Sequence, residues 1–387
     1  MKRRELLVAA VGAAAVLGLP PAALAQDIKL PSSLTMTAYE TGTSGFNILV
    51  AVGKMMKDKH GTDLRALPAG NDIARLVPLK ANRAHASAMG VGGFFAQEGA
   101  FEFATRDWGP QPLQLILASS SCNAIALGVA KDAGVTEVKE LRGKRIGTVV
   151  GSPALNQNAY AILAFGGLTT NDVRLVQFSS NGAMWKGMVN NEVDAAIAST
   201  ISGPARELDA SPRGLVWPQT PAANTEGWKR VNAISPYYYP HRTTCGAGGI
   251  SAQNPLVLPA YPYPIFMAYA SQPADLVHAI ATSMIVNYGD YKDGAPGADG
   301  LEAKRQNLAW AMPYHPGTIK ALQESGVWTA AAQAHNDGLM RRQQVLGEAW
   351  SGFMKANPPA DSAAFATAWM AARKAALEKA GMDVIFN

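Results

Sequence analysis

Cysteine is nearly absent from this chain of 387 residues: Cys122 and Cys245 are the only two, 123 positions apart. Neither sits in a metal-like spacing, which excludes a zinc ribbon or a C-x-x-C redox centre. If the chain meets an oxidising compartment the two thiols form a bridge; otherwise they are buried and free, and the sequence leaves both open. Charge of one sign is also scarce. The formal net charge is +5, and removing Lys2, Arg3, Arg4 and Glu5 leaves +3, with no basic cluster longer than a pair. That weak and dispersed charge excludes nucleic acid as a partner. After residue 26 no run of 18 uninterrupted apolar residues occurs, so the sequence offers no second membrane-crossing helix. The motifs G-x-S-x-G, H-E-x-x-H, G-x-x-x-x-G-K-[ST] and G-x-G-x-x-G are missing, which removes the sequence signatures of common hydrolases, zincins and nucleotide binders. No cofactor and no metal ion is expected.

What is present begins at the N-terminus. Lys2, Arg3 and Arg4 precede an apolar stretch over residues 6–19, and Ala23-Leu24-Ala25 supplies small residues at a cut site. A charged start, a short greasy middle and a small-residue end make a secretory signal peptide over residues 1–26, cleaved near Ala25. Arg3-Arg4-Glu5-Leu6-Leu7 also fits a twin-arginine pattern loosely, so two export routes stay open. The expected location is the periplasm.

The remaining residues suffice for two lobes with a sizeable core, and a content of 48% hydrophobic and 16% charged residues is that of a globular protein. Short alternating or apolar runs keep handing over to amphipathic ones, the pattern of stacked βα units. Strands are expected at residues 34–39, 64–67 and 85–89, with helices at 46–57 and 73–79 between them. After two consecutive strands near 113–119 and 124–129, the pattern restarts with strands at 145–150, 173–178 and 194–199 and helices at 157–165 and 184–189. Residues 204–264, rich in Pro, Tyr and Trp, read as turns with short strands, a poor candidate for regular core. An apolar strand at 264–270 is expected to carry the chain back to the first lobe. Helices are then expected at 274–288, 300–310, 316–325, 331–354 and 361–380, the last with a core stripe at Phe365, Trp369, Ala372 and Ala376.

Several segments resemble the TAXI family, the solute receptors of one branch of tripartite ATP-independent periplasmic (TRAP) transporters. Carrying the resemblance are Glu40-Thr41-Gly42-Thr43-Ser44-Gly45-Phe46, then Glu140-Leu141-Arg142-Gly143-Lys144-Arg145 leading to Gly151-Ser152-Pro153, then Asn191-Glu192-Val193-Asp194-Ala195-Ala196. The fourth segment is Pro313-Tyr314-His315-Pro316-Gly317-Thr318 with Glu324-Ser325-Gly326. The likeness implies an α/β fold of the two-lobe, type II periplasmic-binding-protein (Venus flytrap) kind, with a helical C-terminal region packed on lobe one. It divides the chain into residues 27–117 (lobe one), 118–261 (lobe two) and 262–387 (return to lobe one and C-terminal helices). It also implies a receptor, not an enzyme, which captures a small organic anion of the carboxylate or amino-acid class and delivers it to ion-gradient-driven membrane permease subunits. A receptor serving an ATP-driven (ABC) importer shares the architecture and is the alternative; a secreted serine hydrolase is the rival class.

In an open α/β lobe, guests collect where carboxyl ends of strands feed helix N-termini, whose free N–H groups and partial positive charge hold anions. The turns at 41–47 and 151–156 are expected to face each other across the cleft. Candidate ligand-binding residues are therefore Thr43, Ser44 and Gly45 in the first turn, and Ser152 and Asn156 in the second. Asn71 and Met89 end further lobe-one turns and strands, and Thr200 and Ser202 follow the last lobe-two strand. Tyr238, within a run of three tyrosines, is a candidate wall, and Arg242 a candidate carboxylate clamp. Each turn residue also reads simply as a cap, and His315 as structural.

Overall fold

The computed structural model describes residues 28–386. The expected signal segment and its cut near Ala25 lie outside the described residues.

The first elements are β1 (Ser33–Ala38), α1 (Ser44–His60), β2 (Asp63–Pro68), α2 (Asp72–Lys80), β3 (Ala86–Met89), α3 (Gly92–Glu98) and β4 (Leu113–Ala118). Alternation places Leu34, Met36 and Ala38 of β1 in the core. The apolar stripe Ile48, Leu49, Val52, Met55 and Met56 lays α1 against the sheet. At its end Gly61 adopts φ 68°, a left-handed cap that lets its N–H reach back to the Lys57 carbonyl at 3.0 Å.

The second set comprises β5 (Ile125–Ala130), β6 (Arg145–Val149), α4 (Pro153–Phe165), β7 (Arg174–Phe178), α5 (Asn181–Val189), β8 (Ala195–Ser199), α6 (Gly203–Ala210), β9 (Leu215–Val216) and α7 (Thr225–Ile234). A hairpin, β10 (Tyr239–Thr243) with β11 (Leu256–Ala260), precedes β12 (Ile265–Tyr269). Helices α8 (Ala274–Val286), α9 (Tyr288–Tyr291), α10 (Pro316–Glu324), α11 (Ala330–Lys355) and α12 (Ser362–Lys379) follow.

The two five-stranded sheets share one plan. Sheet one runs β2-β1-β3-β12-β4 and sheet two β7-β6-β8-β5-β9. In each, three parallel strands are followed by an antiparallel strand that has just crossed from the other lobe: β12 enters sheet one, β5 enters sheet two. This is the two-lobe architecture of type II periplasmic binding proteins. The two crossings lie side by side, with Ser119 N–H donating to the Pro264 carbonyl at 2.8 Å and Tyr263 N–H to the Ser119 carbonyl at 2.7 Å.

The C-terminal helices pack on lobe one. Glu98, fully buried at the end of α3, accepts from Arg342 of α11 at 2.7 Å on both carboxylate oxygens and pairs also with Arg373 of α12. Trp369 donates its indole N–H to the Gly99 carbonyl at 2.7 Å. The core stripe of α12 is therefore Phe365, Trp369, Arg373 and Leu377, with an ion-paired arginine among the apolar residues. Among the described residues no helix is long and apolar enough to cross a membrane.

Three expectations from the sequence need correction or completion. Residues 300–310 do not form a helix; only short 3-10 turns, Ala298–Leu301 and Ala303–Arg305, occur there. Their polar groups are committed to the first crossing instead: Ser119 Oγ donates to the Gly297 carbonyl at 2.7 Å, Ser120 N–H to the Gly300 carbonyl at 3.0 Å, and the Gln306 amide bonds both N–H and C=O of Ala118. Residues 204–264 hold most of α6 and all of α7, and bury Trp217, Trp228, Tyr237, Tyr238, Tyr261 and Tyr263. Of the two states left open for the thiols, the bridge is found: Cys122 and Cys245 are joined, with Cα atoms 5.5 Å apart.

Candidate functional site

The carboxyl ends of the three parallel strands in each sheet point into one cleft. From lobe one come Tyr39 and the N-terminus of α1, Asp72 and Arg75 of α2, and Gly90 after β3; from lobe two come the N-termini of α4, α5 and α6. They enclose a cavity of about 40 Å³, room for a few waters or one compact head group.

A buried polar cluster forms its lobe-one floor. Asp72 and Arg75, both fully buried, form an ion pair three residues apart on α2, and the guanidinium lies 3.6 Å from the centre of the Tyr39 ring. Tyr39 donates its hydroxyl to Asp72 Oδ1 at 2.8 Å, so Ser152 Oγ, 2.9 Å away in lobe two, donates to Tyr39 in turn. Burial, with the Asp72 charge adding to it, raises the Tyr39 pKa well above the ordinary tyrosine value and keeps that proton in place. Burial works against the charge of Arg75, but the ion pair with Asp72 opposes it and holds the guanidinium charged.

Two donors of this floor are left over. Ser44 Oγ and Arg75 Nε are buried, belong to cavity-lining residues and make no hydrogen bond of ordinary length and angle; Ser44 has the Tyr263 hydroxyl beside it as a weak partner. The first bond into α1 is donated by Asn47 N–H, to the Thr43 carbonyl at 3.0 Å, so the N–H groups of Ser44, Gly45 and Phe46 have no backbone acceptor. The N-termini of α4, α5 and α6 differ, because acceptors from lobe one meet them. Ala154 N–H donates to Asp72 Oδ2 at 2.8 Å, Gly182 N–H to Glu40 Oε1 at 3.1 Å, and Gly203 N–H to the Gly42 carbonyl at 2.9 Å.

The sequence-derived candidates divide by position. Thr43, Ser44 and Ser202 line the cavity; Thr43 Oγ1 donates to the Glu40 carbonyl at 2.8 Å, and Ser202 caps α6. Ser152 lies on the seam through Tyr39. Gly45 backs onto Tyr263, whose hydroxyl lies 3.3 Å from where a Cβ would stand. The remaining six are outside the lining. Asn71 caps α2 through Ala74 N–H at 2.7 Å, and Met89 is buried one residue before the lining Gly90. Asn156 folds back onto the N–H and C=O of Val149, and Thr200 bonds Ala124 N–H and the Cys245 carbonyl. Tyr238 donates to the Ile125 carbonyl at 3.1 Å, a layer behind the wall, while Arg242 is exposed on β10.

Sequence reasoning missed Tyr39, Asp72, Arg75, Trp185, Tyr261 and Tyr263. One signal was available for Arg75: it follows Asp72 by three and precedes Leu76 and Leu79, a cation on the apolar side of an amphipathic helix. Among the described residues no group of three or more His, Cys, Asp or Glu is placed to hold a metal ion. A wider groove of about 860 Å³, bordered by Tyr160, Arg230 and Phe386, opens behind α4 and receives no strand ends.

The model of the NMT1-like family matches residues 36–326, which spans both sheets. The chain belongs to the NMT1-like family. The match does not by itself establish the finer TAXI assignment that the short motifs resemble. Among solved structures, this NMT1-like chain is similar to the alkanesulfonate-binding protein SsuA from Xanthomonas axonopodis pv. citri bound to MOPS, at 17% identity over 80% of this chain and 84% of that one, TM-score 0.42. It is also similar to the periplasmic aliphatic sulphonate binding protein SsuA from Escherichia coli, at 11% identity over 92% and 90%, TM-score 0.41. No curated protein matches the NMT1-like chain.

Proposed function

We propose that the chain is an extracytoplasmic solute receptor, which closes two lobes about the anionic group of a small organic solute and passes it unchanged to a membrane permease. The observation that carries this reading is the N-terminus of α1, whose first-turn N–H groups have no backbone acceptor. Beside them Ser44 Oγ, with only a weak partner in Tyr263, and the unpartnered Arg75 Nε belong to residues that line one cavity. Buried donors call for an acceptor, and a carboxylate satisfies several at once. The apolar wall from lobe two, Leu155, Trp185 and Ile197, suits the hydrocarbon part of such a solute. Only a head group fits the present volume, so a larger guest is admitted by movement about the paired crossings.

A receptor is preferred to a hydrolase because none of the six histidines lines the cavity, which leaves Ser44, Ser199 and Ser202 without a base. The permease is either an ATP-driven importer or an ion-gradient-driven TRAP permease, since the family match names neither. An ATPase gene beside this one supports the first, and a large integral membrane subunit without an ATPase the second.

The test is a thermal-shift screen over dicarboxylates, keto acids, acidic amino acids and sulfonates, with neutral and basic solutes as controls. A true guest at 100 times its Kd adds about 2.7 kcal/mol. Ser44→Ala lowers affinity for that guest about tenfold. Stabilisation by basic solutes alone, or turnover of any bound solute, overturns the reading.

A further inference from the structure

We infer that Asp72 and Glu40 are tethered substitutes for an anionic guest, which hold the empty cleft shut by occupying the helix N-termini of lobe two. Both carboxylates belong to lobe one, and each accepts from the first turn of a lobe-two helix: Asp72 Oδ2 from Ala154 N–H of α4, Glu40 Oε1 from Gly182 N–H of α5. A free N–H and a positive helix end attract a carboxylate whether it arrives in solution or on a side chain. Around these two bonds the seam is completed by backbone. Ile73 N–H donates to the Gly151 carbonyl at 3.1 Å, Asn181 N–H to the Gly70 carbonyl at 2.9 Å and Gly203 N–H to the Gly42 carbonyl at 2.9 Å. Glu40 fills only part of its place, since its other oxygen, Oε2, is buried without a partner. An incoming anion is consequently directed to α1 in lobe one, because the positions at α4 and α5 are already taken.

Closure to this depth depends on two glycines. A Cβ on Gly70 would lie 2.6 Å from Cβ of Ser180, and one on Gly203 would lie 2.8 Å from the Gly42 carbonyl oxygen. In both cases the obstacle belongs to the other lobe. Neither glycine has a left-handed φ, so alanine leaves each lobe unstrained and acts only on their approach.

The inference concerns the same cleft as the proposed function, but its test uses no solute, so the two fail separately. Full-length mature chain is unfolded and refolded with its disulfide intact to strip any guest, and emptiness is confirmed by native mass spectrometry. Amide hydrogen exchange is then followed at Ala154, Gly182 and Gly203. The expected result is protection of all three in the empty wild type, and about tenfold faster exchange in Asp72→Asn, Glu40→Gln and Gly203→Ala, with amides of β1 and β6 unchanged. Should Asp72→Asn fail to fold because Arg75 loses its partner, Glu40→Gln and Gly203→Ala decide alone. Rapid exchange at these amides in the empty wild type, or protection that survives both Glu40→Gln and Gly203→Ala, overturns the inference.

Discussion

Arg75→Met is the most discriminating perturbation of lobe one, because it keeps side-chain length while deleting a charge that is fully buried. Three interactions go: the ion pair with Asp72, the bond from Nη1 to the Ala88 carbonyl at 3.2 Å, and the stacking on Tyr39. Removing one partner of a buried pair costs about 3–5 kcal/mol, since the other charge stays in a poor solvent for it. Asp72 keeps two donors, Tyr39 and Ala154, each at 2.8 Å, which puts the expected loss at the low end of that range, about 3 kcal/mol. Loss of the bond to the Ala88 carbonyl adds about 1 kcal/mol. The assay is urea denaturation of the solute-free protein, with amide exchange on β1 and β3 to assign the loss to lobe one. A midpoint within 1 kcal/mol of wild type would refute the view that this pair organises the cleft floor.

Three further outcomes follow from the same geometry. Reducing the Cys122–Cys245 bridge, which closes a loop of 123 residues, removes about 2–4 kcal/mol and lowers the Tm in a scan with and without reductant; an unchanged Tm means the bridge contributes nothing. Glu98→Gln leaves Arg342 and Arg373 facing each other without a counter-charge and costs about 3–5 kcal/mol, seen as faster exchange in α11 and α12 ahead of lobe two. Burial pushes the pKa of His315 and of His241 below the ordinary histidine value, against weaker opposition from backbone hydrogen bonds. The folded chain therefore resists a proton that the unfolded chain accepts near pH 6.5. The stability from these groups is present above that pH and is lost as pH falls through the lowered folded values. Stability measured at pH 7.5 and 5.5 should show the fall, and His315→Asn, chosen to keep an acceptor for Gly317 N–H, should reduce it, leaving the His241 share.

The βα alternation was legible because each unit carries its own period and its own stop: β1, α1, β2 and α2 follow from residues within a turn or two of themselves. What escaped depends on distant partners. Nothing local in residues 300–310 says that Gln306 is needed to bond Ala118, or that Gly297 must meet Ser119, so a helical composition was read where the backbone serves the crossing. The aromatic segment over residues 204–264 looked irregular because Tyr237, Tyr261 and Tyr263 are spaced for contacts between lobes, and Trp217 and Trp228 for the interior of lobe two, not for a strand or helix face. In the site, the turns could be found by position, yet turn position alone does not separate Ser44, which lines the cavity and makes no hydrogen bond of ordinary geometry, from Asn156, whose amide is spent on Val149. Asp72 and Arg75 were passed over because a charged pair three residues apart on a helix ordinarily lies in water; only the meeting of both lobes buries it.

The side-by-side crossings bear on how the molecule is made. Sheet one lacks its fourth strand until residue 269 has been synthesised, whereas every strand of sheet two lies between residues 125 and 216. The inner lobe can thus finish its sheet while the outer one still waits with β3 and β4 unjoined. A fragment ending before β12 should yield a folded lobe two tethered to an incomplete partner, and supplying the missing C-terminal piece in trans should restore the whole.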